Sequence, residues 1–175
     1  VVKLLLDHPN IIEVNTRNNI GRTAFQDACC LGPKDVVKLL LDHSDRNIDL
    51  NVKDQLGRTA FMVACIQGRK DIVKLILTHS NRNIDLSARN DFGETALMKA
   101  CELNRRDIVK LILDNLDRKS IDMNAQNCYG WTAFMIACSK GHYDLVKLLL
   151  DHSDSYIDLN KKSYTGLTAF MIACM

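Results

Sequence analysis

A fixed period constrains this chain more than any other feature. The pattern Gly-x-Thr-Ala recurs at Gly21, Gly57, Gly93, Gly130 and Gly166, at spacings of 36, 36, 37 and 36 residues. Self-similarity in this range means stacked repeats. Each unit is too small to bury its own apolar face, so its neighbours must cover it. The unit is clearest from Gly130 to Ser153, GWTAFMIACSKGHYDLVKLLLDHS.

Within that unit Thr132 stands where a helix N-cap belongs, with a hydroxyl able to accept a bond from a free first-turn amide. Phe134, Ala137 and Cys138 follow at i, i+3 and i+4 and form one buried helical face. Gly141 ends the short helix with a residue that turns left-handed cheaply. Asp144 sits in the first turn of a second helix and complements its dipole. Leu145, Val146, Leu148, Leu149 and Leu150 leave that helix little polar face apart from Lys147, so cover on two sides is expected.

The run G-x-T-A-F/L-x-x-A-C-x-x-G-x-x-D-V-V-K-L-L-L resembles the ankyrin repeat, whose signature is T-P-L-H-x-A in about 33 residues. The resemblance covers the whole chain and recurs five times in register. Two departures stand out. The family's Pro is Ala here (Ala24, Ala60, Ala96, Ala133, Ala169), and its His is Gln26 or Met (Met62, Met98, Met135, Met171). The helix start therefore rests on Thr. The resemblance implies an all-α solenoid of helix–turn–helix units carrying β-hairpin fingers. Residues 1–175 read as a single array, with four full helix pairs, a partial repeat at each end, and the look of a fragment from a longer array.

The pattern places helices at about Ala24–Leu31 and Lys34–His43, Ala60–Gln67 and Lys70–His79, Ala96–Leu103 and Arg106–Asn115, and Ala133–Lys140 and Tyr143–His152. Val1–His8 reads as a lone second helix, and a last helix begins at Ala169. Asn104 replaces the turn glycine, and Asn tolerates the left-handed conformation better than most residues. The extra length over the family norm lies between the second helix and the next finger, as in DHPNII, DHSDRNI and DNLDRKSI. Length changes there behave like those of a surface loop. Each version ends in isoleucine (Ile12, Ile48, Ile84, Ile121, Ile157), which is expected to fold back onto the second helix.

Composition narrows the function. With 47% hydrophobic and 25% charged residues the chain is ordinary for a globular protein. A net charge of +2 is too weak to point to nucleic acid or an anionic membrane. No apolar run approaches the 18 or so residues of a membrane span.

Of the seven cysteines, Cys29, Cys65, Cys101, Cys138 and Cys174 share one repeat position. Stacked helices lie about 8–10 Å apart, whereas bridged cysteines need Cα atoms within about 7 Å. These five therefore read as small buried thiols of a reducing, intracellular and cytoplasmic setting. Cys30 and Cys128 lie off that column, Cys128 on a loop tip.

His8, His43, His79 and His152 recur once per unit, too far apart to share a metal ion. A helix C-terminus favours a His there in any case. Lys3, Lys38, Lys74, Lys110 and Lys147 form the polar stripe of the second helices, read as a solvated back face. No phosphate loop, HExxH or GxSxG motif is present. Repetition also places each Asp and Ser in the same setting many times, whereas catalysis needs different groups to converge. No catalytic residue, metal or cofactor is expected.

Positions where the repeats disagree carry the functional reading. Apolar finger tips stand at Ile20, Leu56, Phe92 and Tyr129, with Tyr164 in the last finger. Arg22, Arg58, Glu94, Trp131 and Leu167 follow the finger glycines. Ile66-Gln67, Glu102-Leu103 and Ser139-Lys140 close the first helices. In proteins with ankyrin repeats, finger tips and first helices form a concave binding surface. The resemblance thus implies a surface that shifts from basic (Arg17, Arg22, Lys53, Arg58) to aromatic (Phe92, Tyr129, Trp131, Tyr164). Aromatic and Arg residues are the usual interface anchors.

The function this implies is a protein–protein interaction scaffold whose protein partner is of unknown identity. A structural spacer or elastic array linking other domains is the alternative. Neither nucleic-acid binding nor membrane insertion is expected, and the apolar end helices suggest end-to-end self-association. By the same resemblance, Asn15, Asn51, Asn124 and Asn160 are candidates for asparaginyl hydroxylation, with Ser87 breaking the series.

Overall fold

The computed structural model describes residues 1–8, 13–43, 48–79, 84–115, 121–152 and 157–175. The chain divides into two compact units, Val1–Asp85 and Leu86–Met175. Among the described residues there are ten helices and no strand. Unit 1 holds α1 (Val2–Asp7), α2 (Ala24–Leu31), α3 (Lys34–Asp42), α4 (Ala60–Gln67) and α5 (Lys70–Thr78). Unit 2 holds α6 (Ala96–Glu102), α7 (Arg106–Leu113), α8 (Ala133–Ser139), α9 (Tyr143–Asp151) and α10 (Ala169–Ala173).

Each unit is two layers of helices. In unit 1, α2 packs on α3 and α4, α4 on α5, and α3 on α5. In unit 2, α6 packs on α7 and α8, α8 on α9 and α10, and α7 on α9. First helices therefore form one row and second helices the other. The core lies between them, on Phe25, Cys29, Val37 and Leu41 in unit 1 and on Met98, Ile108, Met135 and Leu149 in unit 2. A fully buried side chain of this kind contributes about 1.5–3 kcal/mol. In α9, Leu145, Leu148 and Leu149 are buried, but Val146 is half-buried and Leu150 exposed. The matching positions are buried in α3 (Val37, Leu41), α5 (Val73, Leu77) and α7 (Val109, Leu113), so the open flank is particular to α9, the last second helix in residues 1–175.

Every first helix starts as its sequence predicts. The hydroxyls of Thr23, Thr59, Thr95, Thr132 and Thr168 accept the amide three residues on, at 3.2–3.4 Å. Gln26 adds a second bond. Its Oε1 accepts the Thr23 amide at 3.0 Å, which completes a capping box. Its Nε2 then donates to the Val52 and Arg58 carbonyls, at 3.0 and 2.8 Å, tying α2 to the next finger. Methionine has no such donor, and Met98 and Met135 are simply buried.

The turns between paired helices follow two designs. Gly68 and Gly141 are left-handed (φ 75° and 66°), and Asn104 takes the same conformation at φ 53°. Gly32 is instead extended (φ −75°, ψ 164°), because the proline that follows disfavours a helical residue before it.

The fingers are closed turns rather than strand ladders. The amides of Asn18, Asp54, Asn90, Asn127 and Ser163 donate to the carbonyl four residues on, at 2.8–3.0 Å. The amide of each finger glycine donates back to that same first residue. Each side reaches only one backbone pair beyond the tip, too short for a strand. The variable loops, with Ile12, lie outside the described residues. Ile48 is buried, while Ile84, Ile121 and Ile157 are half-buried.

Candidate functional site

Each finger is held by its own first residue. The Oδ1 atoms of Asn18, Asp54, Asn90 and Asn127 accept two amides, those two and four residues on. This Asx turn fixes the fingertip without tertiary help. Neighbouring fingers then join by single backbone bonds. The Gln55 amide donates to the Ile20 carbonyl at 3.2 Å in unit 1. In unit 2 the Cys128 amide donates to Phe92 at 2.9 Å and the Tyr164 amide to Tyr129 at 3.2 Å. The tip side chains stay outside this linkage: Ile20, Leu56, Phe92 and Tyr129 are 50%, 45%, 52% and 65% exposed.

In unit 1 the expected basic surface is largely engaged in holding the fingers. Arg17 donates to the Gly21 and Lys53 carbonyls at 2.8 and 2.6 Å. Arg22 and Arg58 converge on Asp54, at 3.3 and 2.8 Å. Asp54 is buried. Burial alone would push its pKa up. The Arg58 guanidinium, with the Arg58 and Leu56 amides, outweighs that and holds the carboxyl below the usual carboxylate range. At the end of α4, Ile66 is half-buried and Gln67 exposed.

The residue after the finger glycine meets the first helix, and the chemistry of that meeting changes along the chain. Arg22 pairs with Asp27 at 3.8 Å in unit 1. Glu94 pairs with Lys99 at 3.5 Å in unit 2, with the charges exchanged. One repeat later the two positions are Trp131 and Ile136, and both line an open groove.

That groove, of about 610 Å³, lies within unit 2. It gathers seven of the residues singled out from sequence: Glu94, Glu102, Tyr129, Trp131, Ser139, Lys140 and Tyr164. Asn127, Cys128, Ile136 and Thr165 complete it. Sequence comparison of the repeats missed Asn127 and Ile136 because each occupies a position that reads as structural. Phe92, Leu103 and Leu167 are not among the lining residues; Phe92 and Leu103 are exposed and Leu167 half-buried. On the acidic wall the Lys99 ammonium bridges Glu94 and Glu102, and Asn90 Nδ2 donates to Glu94 at 2.8 Å.

A family model described as Ankyrin repeats (3 copies) matches residues 1–54, 46–122 and 114–175. The chain belongs to the ankyrin repeat family. No curated protein matches it. Ankyrin repeats are generally non-enzymatic modules for protein–protein interaction. No described helix is long and apolar enough to cross a membrane.

Several other polar residues of this ankyrin array have internal partners. His43 Nδ1 lies 2.8 Å from the Leu39 carbonyl and its Nε2 3.2 Å from Asp7. His152 Nδ1 likewise meets the Leu148 carbonyl at 2.9 Å. At the starts of α5 and α9, Arg69 donates to the Gly32 carbonyl at 2.8 Å, and His142 Nε2 lies 3.2 Å from the Glu102 carbonyl. Cationic or imidazole groups there satisfy open carbonyls at a helix end.

The lysine stripe of the second helices is exposed throughout. Cys29, Cys65 and Cys101 are buried, which pushes the Cys29 thiol up to about 12 and the other two higher still. Cys138 is half-buried, and Cys128 and Cys174 are exposed.

Asn15, Asn51 and Asn124 act as staples between repeats. Their Oδ1 atoms accept the amides of Asp49, Asp85 and Asp158, at 2.9, 2.8 and 2.8 Å. The amides of Asn51, Asn124 and Asn160 donate in turn to the carboxylates of Asp49, Asp122 and Asp158.

Proposed function

We propose that this ankyrin array is a non-enzymatic scaffold that binds a protein partner through its fingertips and first helices, with the unit 2 groove as the main anchor. One observation carries the reading. Residues chosen only because the repeats disagree there converge on one open, aromatic groove. Residues that hold the stack mostly repeat, Gln26 and Arg17 being exceptions, and residues that face a partner need not. Exposed aromatic side chains grouped beside a groove are the usual anchors of an interface. On unit 1, taken by itself, Ile20 and Leu56 are exposed apolar tips, and Arg22 and Arg58 hold the fingers that present them.

The test is affinity capture from cell extract with the wild-type array and a Phe92→Ala, Tyr129→Ala, Trp131→Ala variant of equal helicity by circular dichroism. A protein retained by the wild type alone supports the reading. Identical retained sets would instead favour a spacer without a partner of its own.

A second reading concerns the asparagine column. The carboxylate two residues before Asn51, Asn124 and Asn160 already accepts their amides. On this reading Asn15, Asn51, Asn124 and Asn160 take a hydroxyl from an asparaginyl hydroxylase. Intact mass after exposure to an asparaginyl hydroxylase tests this, with one added oxygen per site expected and an unchanged mass counting against it.

A further inference from the structure

We propose that the unit 2 groove takes an arginine side chain from an extended segment of the partner protein. This rests on the protein-binding reading above and gives the partner a chemistry.

The aromatic wall consists of Tyr129, Trp131 and Tyr164. The backbone that carries it is held in place before any partner arrives. The amides of Tyr129 and Trp131 both donate to Asn127 Oδ1 at 3.0 Å. The Tyr164 ring lies against Gly130, where an added Cβ would come within 2.6 Å of its Cδ1. Backbone fixed in this way need not be ordered on binding. Aromatic faces attract cations, and the flat guanidinium stacks on them better than an ammonium does.

Two carboxylates of the lining supply the charge. Glu94 and Glu102 share the single ammonium of Lys99, so that cluster carries one negative charge in excess. A guanidinium entering the groove would find carboxylate partners and aromatic faces among the same lining residues. An acidic side chain would meet two carboxylates, and an apolar one would desolvate them with nothing in return. Lys140 also lines the groove, but it is exposed at the C-cap of α8, where its charge complements the helix end. At about 610 Å³ the groove has room for the residues flanking an arginine, which favours a peptide segment over a single small cation.

The chain has one tryptophan, Trp131, so its fluorescence reports on this groove alone. The probe is a synthetic peptide, acetyl-Gly-Ser-Leu-Arg-Leu-Ser-Gly-amide, compared with versions carrying lysine, norleucine or glutamate at the centre. The arginine peptide is expected to give a saturable change and to bind at least about fivefold tighter than the norleucine version. Glu102→Gln should weaken it by about tenfold, the usual scale for losing one charged hydrogen bond.

Lys99→Met should act the other way. It frees both carboxylates and should tighten binding severalfold, which a merely structural role for Lys99 would not produce. The proposal is overturned if the glutamate peptide binds as well as the arginine one. It is also overturned if the arginine peptide gives no saturable change at about 5 mM, near the floor of specific affinity. Fluorescence that shifts with protein concentration alone would mean that a second copy fills the groove, which overturns it too. Should the aromatic triple variant lose a captured protein while Glu102→Gln and Lys99→Met leave its affinity unchanged, the arginine assignment fails and the protein-binding reading stands.

Discussion

Asp54 is the clearest case of a residue whose role depends on its neighbours. Its Oδ1 holds two amides of its own finger, and its Oδ2 takes the guanidiniums of Arg22 and Arg58. Burial raises its pKa, and the Arg58 contacts with the Leu56 amide lower it by more, so the folded value lies below the unfolded one. The sign follows from linkage. Its stabilising contribution is complete above the unfolded value of about 3.9 and is lost as pH falls through the lower folded value.

Asp54→Asn is therefore expected to cost about 1–3 kcal/mol at neutral pH. It should also flatten the loss of stability as pH falls below the unfolded value of about 3.9. Urea midpoints across that range check both. A variant that keeps the wild-type acid slope would show that another carboxylate controls it.

At the scale of the element, the finger glycine and the turn between paired helices are both left-handed in unit 2, and they tolerate change differently. Gly141 closes the turn between α8 and α9 at φ 66°, with nothing near where a Cβ would sit. Asn104 occupies the equivalent turn between α6 and α7 at φ 53°. Gly141→Ala should therefore cost only the conformational penalty of about 1–2 kcal/mol, and Gly141→Asn less than that. Gly130, at φ 76°, is confined as well as left-handed. An added Cβ would stand 2.4 Å from the Tyr164 amide nitrogen, whose bond to Tyr129 joins the two fingers. Gly130→Ala should cost about 2 kcal/mol or more beyond Gly141→Ala. It should also change Trp131 fluorescence, which Gly141→Ala should not. Urea unfolding followed by circular dichroism and fluorescence separates the two effects.

For the molecule as a whole, one position shows what stacking supplies. Leu97 and Phe134 are 2% and 7% exposed, whereas Phe170, at the same place in the repeat, is 79% exposed. Met171 beside it is 50% exposed, and Leu4 and Leu5 on α1 are 75% and 52% exposed. In a preparation of residues 1–175 alone, we propose that these faces meet head to tail between copies, a contact that does not close on itself. Light scattering over a concentration series should show mass growing with concentration, and Phe170→Glu should suppress the growth. A constant monomer mass would count against it.

The sequence by itself determined the elements. Threonine caps, the 3.6-residue apolar pattern, the turn glycines and Asn104 act through bonds and conformations spanning a few residues. Helix ends therefore fall within a residue or two of expectation. Tertiary structure decided which polar groups meet. Arg22 with Asp54, Gln26 with the Val52 carbonyl, and Asn15 with the Asp49 amide lie 32, 26 and 34 residues apart. A column of identical residues does not say which of its members meets which neighbour, because that depends on the register of one repeat against the next. For the same reason the repeats' disagreements marked Trp131 and Tyr164 as candidates, and only stacking placed them with Glu94 and Glu102 around one groove.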